Sequence, residues 1–372
     1  MLIAIDARTI YAVYRRGTGK TLISLYSYVA AMRPEWQFLM LHRGQGLDDP
    51  FANLANVENR RIEIKGDRLD LWQQVRLPLA AKMARADFLH CPANTGPRWL
   101  PVPIVLTIHD LIPLDPRFAT AQSKRWGKNV AAVAKKAQRI IVPSEFSKRQ
   151  IIETFEIPSN KIIVNHWAAN PMCQPVTDVQ EQNRVRIKYG LEPDCPYVLG
   201  FGGFDRRKNT ERIIEAWASM PEHVLKSCSL LIVGIPEPLL TRFRQKAVNA
   251  GIERSCSLQG YVSEDDLMIL LSGAQCLCYP SLSEGFGLPV LDAFACETAV
   301  LTSNVTSLPE IAGDAAMLVD PNETAAIADG LRVILEDRRV RDELVRRGRE
   351  RLRLFTWEGC AERFCSVLEE LL

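Results

Sequence analysis

Residues 15–21 read RRGTGKT, a run that combines glycines, a lysine and a hydroxyl residue as phosphate-binding loops do. A Walker A loop, which binds nucleoside triphosphates, needs a glycine five positions before its second glycine so that consecutive backbone N–H groups can wrap the phosphates. In this sequence the second glycine is Gly19, and the position five before it is Tyr14. This loop is therefore not predicted to bind ATP. Gly17 and Gly19 still lie between an apolar run and a helical pattern, an arrangement that suits an anion.

Cations cluster in a second stretch, GFGGFDRRKN, which also follows an apolar run. Glycines such as Gly203 allow the backbone to approach a ligand closely. Arg207 and Lys208 stand just before a helix that Asn209 or Thr210 could cap. Clustered cations beside a helix start suit a diphosphate, and a solvated basic turn is the alternative interpretation.

Two carboxylates lie in a third stretch, YPSLSEGFGLPVLDAFA. Glu284 precedes a predicted helix that has Pro289 in its first turn, and Asp292 lies about one turn into that helix. Ionised carboxylates only accept hydrogen bonds, so the pair could hold a hydroxyl-rich ligand such as a sugar. A surface glutamate and a first-turn aspartate are the alternatives. Backbone N–H groups of the same loop would face the ligand, and they belong to Gly285, Phe286, Gly287 and Leu288.

The composition restricts the class of protein. A chain of 372 residues exceeds what one core usually supports, so we expect two domains. A net charge of +2 does not indicate nucleic-acid binding. Neither an apolar run of membrane-spanning length nor a signal-peptide pattern is present, so the expected location is cytoplasmic.

Cysteines and histidines give no sign of a metal site. The ten cysteines include no CxxC pair, and Cys276 and Cys278 are spaced as two residues on one face of a buried strand. None of the five histidines pairs at metal-ligand spacing. We therefore predict free thiols and no bound metal.

The residues above are positioned by alternating apolar runs and amphipathic segments, a repeated βαβ pattern. Helices are predicted at residues 69–86 and 122–137, and Ser144 is a candidate N-cap for another. Strands of the first half are predicted at residues 2–5, 38–41, 104–108, 140–142 and 162–164.

A polar, proline-bearing stretch interrupts the pattern after Asn165, and a second α/β series follows it. Ser263 and Asp266 resemble a capping box at one of its helices. Strands of this series are predicted at residues 197–199, 230–233, 276–279, 300–302 and 317–319. Two doubly wound domains in tandem predict one ligand site shared at the carboxyl ends of their strands.

Several motifs in order resemble glycosyltransferase family 4. The family's E(x)7E signature is similar to residues 284–292, and its G-x-x-x-x-R-K-N segment is similar to GGFDRRKN. The stretch TIHDLIPLDPRF resembles the histidine loop of its mannosyltransferase-like branch. The resemblance covers nearly the whole chain, and the sequence is identified as a member on several motifs together.

The resemblance implies an α/β, GT-B fold with two Rossmann-like domains facing across a cleft. Residues 1–168 would form the acceptor domain, residues 169–195 a linker and residues 196–355 the nucleotide-sugar domain, with a helix at about 356–372 packing back on the first domain. It further implies retaining transfer of a hexose from a nucleotide-diphosphate sugar to a saccharide or lipid-linked acceptor, as in polysaccharide biosynthesis. The nucleotide sugar is a substrate, so no cofactor and no metal are expected.

Individual roles follow from the resemblance. Arg207 and Lys208 would neutralise the leaving diphosphate together with the amides of the loop, and Glu284 would grip the sugar's ring hydroxyls. His109 would contact the sugar, and Asp292 the ribose. Further contacts are expected from Gly17 and Gly19 beside the diphosphate, Glu310 at the nucleotide, and His90 and Asn94 on the acceptor side.

The sequence departs from the family pattern at two places. Asp292 replaces the second glutamate of the signature, which shortens the side chain by one methylene. The segment ACETAV replaces A-C-G-x-P-V, with Glu297 for glycine and Ala299 for proline. We interpret the second change as structural, because that turn lies beyond the site.

The sequence is also compatible with other functions. A non-catalytic nucleotide-sugar-binding protein or a nucleotide-sugar epimerase would share the architecture, and the donor could be of the UDP-glucose or the GDP-mannose type. A basic helical stretch at residues 124–136 could rest on anionic lipid as a peripheral membrane contact, and a solvated helix is its alternative.

Overall fold

The structure is a computed structural model, and it describes residues 1–13, 15, 17–44, 48–63 and 69–372. Tyr14 and Arg16 of the glycine loop lie outside the described residues. The chain divides into two compact units. Unit 1 comprises Met1–Ala168 together with Phe355–Leu372, and unit 2 comprises Ala169–Leu354.

Unit 1 is built on a parallel sheet of seven strands in the order β3-β2-β1-β4-β5-β6-β7. The central strands are buried on both faces, which is why they read as unbroken apolar runs. The predicted strands of this half are confirmed. The strands are β1 (Leu2–Asp6), β2 (Gln37–His42), β3 (Val57–Arg61), β4 (Phe88–Cys91), β5 (Ile104–Thr107), β6 (Arg139–Val142) and β7 (Ile162–Val164).

The helices of unit 1 cover the sheet. Ser144 caps α5 as predicted, because its hydroxyl accepts a hydrogen bond from Ser147 N at 3.1 Å. A π-helical turn, Trp72–Arg76, joins α2 to α3, and the three together form one continuous helical segment. The helices are α1 (Gly17–Met32), α2 (Leu69–Leu71), α3 (Leu77–Met83), α4 (Ser123–Lys136) and α5 (Glu145–Phe155).

Unit 2 carries a parallel sheet of six strands in the order β10-β9-β8-β11-β12-β13. The five predicted strands of this half are confirmed, and Cys276 and Cys278 both point into its buried core. The strands are β8 (Tyr197–Phe201), β9 (Ser229–Val233), β10 (Cys256–Leu258), β11 (Cys276–Tyr279), β12 (Val300–Ser303) and β13 (Met317–Val319).

Helices of unit 2 include one inside the stretch expected to be a linker, residues 169–195. This helix, α6, is capped by Asp178. The helices are α6 (Val179–Lys188), α7 (Thr210–Ala218), α8 (Glu222–Ser227), α9 (Glu237–Asn249), α10 (Glu264–Ser272), α11 (Leu288–Ala295), α12 (Leu308–Ala312), α13 (Thr324–Glu336) and α14 (Arg338–Leu352).

The capping box at α10 is only half present. Ser263 Oγ accepts a hydrogen bond from Asp266 N at 3.3 Å, as predicted. The carboxylate of Asp266 does not return to the Ser263 backbone, and instead it accepts from Lys188 Nζ at 2.5 Å and from Tyr189 at 2.8 Å. Asp266 therefore fastens α10 to α6.

The last helix of the chain, α15 (Trp357–Glu369), belongs to unit 1. Thr356 caps it through Gly359 N at 3.1 Å. Its Trp357 ring stacks on Tyr28 of α1, and the carbonyl of Cys360 accepts from Asn165 Nδ2 at 3.0 Å. The C-terminal residues thus complete the layer that covers the first sheet.

Both sheets have a topological switch point, where strand order reverses and ligands of open parallel sheets bind. In unit 1 the switch lies between β1 and β4, and in unit 2 between β8 and β11. Within the described ranges, every helix is too short or too polar to span a lipid bilayer.

Candidate functional site

The structure brings three of the predicted site residues of unit 2 into one cluster at its switch point. Arg207 and Lys208 follow β8 in a short 3-10 turn, and Glu284 follows β11. Arg207 Nη1 lies 2.5 Å from Glu284 Oε2, and Lys208 Nζ lies 2.8 Å from Glu284 Oε1. Two fixed cations therefore share one buried carboxylate.

Local sequence explains why the basic turn holds this shape. Asp205 accepts hydrogen bonds from Arg207 N at 3.1 Å and from Arg207 Nε at 2.7 Å, which orients the guanidinium. A Cβ at Gly203 would lie 3.3 Å from Lys208 Cγ, so a larger residue would crowd the lysine stem.

Asn209 ends the turn in a left-handed conformation with φ 60°. It occupies the N-cap position of α7, but its side chain makes no capping hydrogen bond, so the predicted cap is wrong in its chemistry. Asn209 Nδ2 instead donates to the carbonyls of Pro280 at 3.0 Å and Pro321 at 2.7 Å. This asparagine ties the cationic turn to the loop that carries Glu284.

Two side chains that the sequence analysis missed complete the cluster. Tyr279, the last residue of β11, donates to Glu284 Oε1 at 2.5 Å and accepts from Lys208 Nζ at 2.5 Å. The ammonium also lies 4.7 Å from the centroid of the Tyr279 ring. Ser281 Oγ donates to Glu284 Oε1 at 2.8 Å. Tyr279 could have been identified from the sequence, because it ends a buried strand and stands five residues before the signature glutamate.

Burial and mutual charge set the ionisation of the cluster. Burial alone would raise the pKa of Glu284, but Lys208 and Arg207 hold it down at about 2. Burial lowers the pKa of Lys208 below its ordinary value, and Glu284 only partly offsets this. Burial also lowers the pKa of Arg207, but Glu284, Tyr279 and Asp205 together outweigh the burial and the net pKa is raised. At neutral pH the cluster therefore contains an ionised glutamate between two cations.

The glycine loop after Glu284 is fixed by Ser307, which directly precedes α12. Ser307 Oγ lies within hydrogen-bonding distance of the carbonyls of Glu284 at 2.9 Å and Phe286 at 2.6 Å. Gly287 has φ 130°, a conformation that side-chain-bearing residues rarely adopt, and it directly precedes α11. The Phe286 side chain is buried, so only its backbone can face a ligand.

Two further predicted site residues of unit 2, Asp292 and Glu310, have partners outside this cluster. Asp292 Oδ1 accepts from the backbone N of Asn170 at 2.8 Å, so one carboxylate oxygen is engaged by the stretch that precedes α6. Glu310 lies in α12, and its carbonyl accepts from Arg351. Their proposed contacts with the nucleotide stay predictions.

Unit 1 has its own cluster at the carboxyl ends of β4 and β5, where Asn94 and His109 come together. Asn94 Oδ1 accepts from His109 N at 2.7 Å, and Asn94 itself has φ 62°. The His109 carbonyl accepts from Ser147 Oγ at 3.0 Å, and its Nε2 lies 2.6 Å from the carbonyl of Pro92. The backbone of His109 is thus fixed by Asn94 and Ser147, and its ring by the carbonyl of Pro92.

His109 is held neutral. Burial lowers its pKa to about 4, against a smaller raising effect of the Pro92 carbonyl. Because a carbonyl only accepts, Nε2 must carry the proton, and Nδ1 then carries a lone pair. Nδ1 is buried and has no hydrogen-bond partner in the part of the chain that the structure describes. This atom can accept a hydrogen bond from a ligand.

His90 does not belong to this cluster. It is fully buried, with Nε2 2.8 Å from Thr107 Oγ1 and Nδ1 bonded to the Tyr26 hydroxyl. Its expected place on the acceptor side is therefore wrong, because β4 is buried on both faces and His90 packs against Phe364 of α15.

The two glycines of the opening loop differ. A Cβ at Gly19 would lie 2.3 Å from the carbonyl oxygen of Thr9, so α1 approaches the loop after β1 too closely for any side chain. Gly17 is exposed, and apart from its own chain neighbours no atom of the described residues would lie within 4 Å of a Cβ built on it. Gly19 is therefore needed for packing, whereas Gly17, at the start of α1, leaves space in which a ligand could approach the helix.

Among the residues described, no group of three or more histidine, cysteine, aspartate and glutamate side chains lies close enough to hold a metal ion. Metal independence of the reaction stays a prediction.

Comparisons with known proteins agree with the fold and the motifs. Residues 16–170 match the family model described as Glycosyltransferase Family 4, and residues 181–351 match the model described as Glycosyl transferases group 1. The chain is 32% identical to O-antigen chain mannosyltransferase B of Escherichia coli, over 92% of this chain and 93% of that protein.

Solved structures share the architecture at low sequence identity. Sucrose-phosphate synthase from Thermosynechococcus elongatus matches with a TM-score of 0.76 and 22% identity, over 100% of this chain and 99% of that one. Anabaena HepE in complex with UDP and glucose matches with a TM-score of 0.76 and 16% identity, over 99% of both chains. The predicted α/β fold with two Rossmann-like sheets, the GT-B class, is confirmed.

Proposed function

The chain belongs to glycosyltransferase family 4, and from this membership we propose that it is a retaining mannosyltransferase acting in polysaccharide biosynthesis. Its donor is GDP-mannose, and its acceptor is a saccharide or a lipid-linked saccharide. The name of the Escherichia coli relative supports mannose as the transferred sugar.

The observation that carries the proposal is the cluster of Arg207, Lys208 and Glu284. Two cations face one buried carboxylate, and Arg207 also pairs with the more exposed Asp205, so both cations are held at fixed positions. Asp205 and Tyr279 hold the cations in place before any ligand arrives. A diphosphate at the switch point would meet preorganised positive charge, which is the condition for electrostatic stabilisation of a leaving group.

Bond breaking at the anomeric carbon leaves negative charge on the departing diphosphate. In the proposed mechanism Arg207, Lys208 and the amides of residues 285–288 neutralise this charge without a metal ion. The acceptor hydroxyl attacks from the face that the leaving group vacates, and its proton passes to a diphosphate oxygen. This sequence retains the anomeric configuration and requires no nucleophile from the enzyme.

Glu284 and His109 would orient the sugar. Oε1 of Glu284 already accepts from Lys208, Tyr279 and Ser281, whereas Oε2 pairs with Arg207 alone among the contacts described above, so a sugar hydroxyl would bond to Oε2 beside that arginine. The neutral Nδ1 of His109 would accept from another sugar hydroxyl. Both contacts fix orientation, a contribution separate from proton transfer.

A donor panel tests the proposal. Purified protein is incubated with GDP-mannose, UDP-glucose, ADP-glucose and dTDP-glucose, with and without mannose-terminated oligosaccharides, and nucleotide release is measured. We expect acceptor-stimulated release of GDP from GDP-mannose and an α-linked product by NMR. Preference for another donor would contradict the mannosyl assignment, and a β-linked product would contradict retention.

The same panel separates the alternatives. A non-catalytic binding protein would be stabilised thermally by nucleotides but would release none, even with acceptor. An epimerase would convert the donor sugar without stoichiometric release of a nucleoside diphosphate. Either pattern would overturn the proposed transfer reaction.

A further inference from the structure

Unit 1 exposes a row of large apolar side chains on the helical segment from α2 through the π turn to α3. The row, here the apolar stripe, consists of Leu71, Val75, Leu79 and Met83, which are 36% to 76% exposed. Residues four apart lie on one side of a helix, so the four form a continuous line. The opposite side of the segment, with Trp72, Leu77 and Ala81, is buried in the core.

Trp99 extends this surface. Its indole is 50% exposed and has Lys82 Nζ 6.0 Å from the ring centroid. The loop that carries it is fixed to the π turn, because Arg98 N donates to Gln74 Oε1 at 2.9 Å. Single exposed apolar residues are ordinary, but four in line with a neighbouring tryptophan form a patch, and such patches mark interaction sites.

Helix α4 borders the same surface and supplies positive charge. Arg125 Nη2 lies 3.3 Å from Asp70 Oδ2 at the start of the segment, and Lys136 Nζ donates to the Arg98 carbonyl at 2.9 Å. Residues 71–86 contain three cations and no acidic residue, and residues 116–136 contain six cations and no acidic residue. For a chain with 46 basic and 44 acidic residues, this is a local concentration of positive charge.

We propose that the apolar stripe, Trp99 and the flanking cations of α3 and α4 form a docking surface for the anionic face of a phospholipid bilayer. The apolar side chains enter the boundary between head groups and acyl chains, and a tryptophan suits that boundary because its ring is apolar with one polar group. The exposed Lys124, Arg125 and Lys128 attract anionic head groups. The surface goes beyond the proposed transfer reaction and needs no particular donor.

Vesicle co-sedimentation tests this surface. Full-length protein is mixed with vesicles of phosphatidylcholine alone or of phosphatidylcholine with phosphatidylglycerol, at low and high salt. We expect binding to the anionic vesicles, weak binding to the neutral ones, and release by salt, because screening weakens exposed charges. No binding of the wild-type protein to anionic vesicles would overturn the proposal.

A double variant and a matched control locate the surface. Leu79→Glu with Met83→Glu should lower the vesicle partition coefficient by about tenfold or more, because it removes apolar contacts and adds two negative charges. Val179→Glu with Val248→Glu makes the same charge change at exposed apolar positions of unit 2, and it should bind as the wild type does. Equal loss in both pairs, or no loss in the stripe variant, would overturn the assignment.

Two further measurements keep the test decisive. Quenching of tryptophan fluorescence by brominated lipid should be smaller in Trp99→Phe than in the wild type, and equal quenching would contradict insertion at this surface. Light scattering without vesicles should show the same mass for the wild type and the stripe variant. If the wild type is a dimer and the stripe variant is a monomer, a second copy of the chain covers the stripe, and the proposal is overturned.

Discussion

The hydroxyl of Tyr279 lies 2.5 Å from Glu284 Oε1, so the last residue of a central strand directly holds the carboxylate that organises both cations of the site. The same hydroxyl accepts from Lys208 Nζ. A side chain buried in the sheet thereby fixes the geometry of a loop cluster.

Tyr279→Phe should lower kcat by roughly tenfold, because hydrogen bonds to charged groups contribute about 1.5–3 kcal/mol. Lys208 would also lose an acceptor, so its pKa should fall further and the alkaline limb of the kcat profile should move to lower pH. A pH series of initial rates measures both effects. Tyr261→Phe, at an exposed tyrosine of unit 2, is the control and should change neither. An unshifted alkaline limb in Tyr279→Phe would remove this tyrosine from its positioning role.

Asn94→Ala should reduce kcat by about tenfold, since His109 loses the acceptor at its backbone N and the left-handed conformation at residue 94 disfavours alanine. Asn94→Asp retains an acceptor oxygen and tolerates that conformation, so it should recover most of the rate. Steady-state kinetics with the donor varied compare the two variants. Equal rates in both would show that the hydrogen bond to His109 does not matter for the reaction.

The free energy of unfolding should fall as pH drops from about 6.5 to about 3. Burial lowers the pKa of His90 to about 3 and of His109 to about 4, so the unfolded chain binds more protons than the folded one in this window. Between pH 7 and pH 5 each histidine should account for a loss of roughly 1–2 kcal/mol in the free energy of unfolding.

Urea denaturation at the two pH values measures this loss. His109→Gln cannot titrate and should show a smaller loss, whereas His223→Gln, at an exposed histidine, should behave as the wild type does. A wild-type stability that is equal at pH 7 and pH 5 would contradict the burial of neutral histidines in unit 1.

Glu297→Gly should stabilise the protein by about 1 kcal/mol. Glu297 follows α11 with φ 58°, a left-handed conformation that costs a side-chain-bearing residue roughly 1–2 kcal/mol. Its exposed ion pair with Arg349 offsets only part of that cost. Thermal unfolding of the variant should show a higher Tm and unchanged donor turnover. A lower Tm would mean that the ion pair outweighs the backbone conformation.

The sequence predicted the buried parts of the fold well, because strands enclosed on both faces leave unbroken apolar runs. The helix starts predicted near Asn209, Ser263 and Pro289 are also confirmed to within one residue. Strand β3 was missed because its residues, VENRR, are mostly charged and exposed at the sheet edge. The strand forms because it pairs with β2, and its own five residues carry no pattern that would predict this pairing.

The residues of the candidate site were easier to predict from the sequence than the contacts between them. Spacing and resemblance placed Arg207, Lys208 and Glu284 in loops that meet, and the structure brings them together. The partners of Tyr279 and Asn209 could not be predicted, because both side chains bond to segments about 70 residues away in sequence. The expected cap at Asn209 failed for the same reason, since a tertiary contact replaced the local one.

The central claim is that fixed cations, with no metal ion, neutralise the leaving diphosphate, and the turnover of Lys208→Ala in excess EDTA tests it most directly. The wild type should keep its full rate in EDTA, and Lys208→Ala should lose on the order of a hundredfold in kcat, as other preorganised charge stabilisers do. Lys226→Ala, at an exposed lysine of unit 2, should be unaffected. Loss of wild-type activity in EDTA, or an unchanged kcat in Lys208→Ala, would contradict the account.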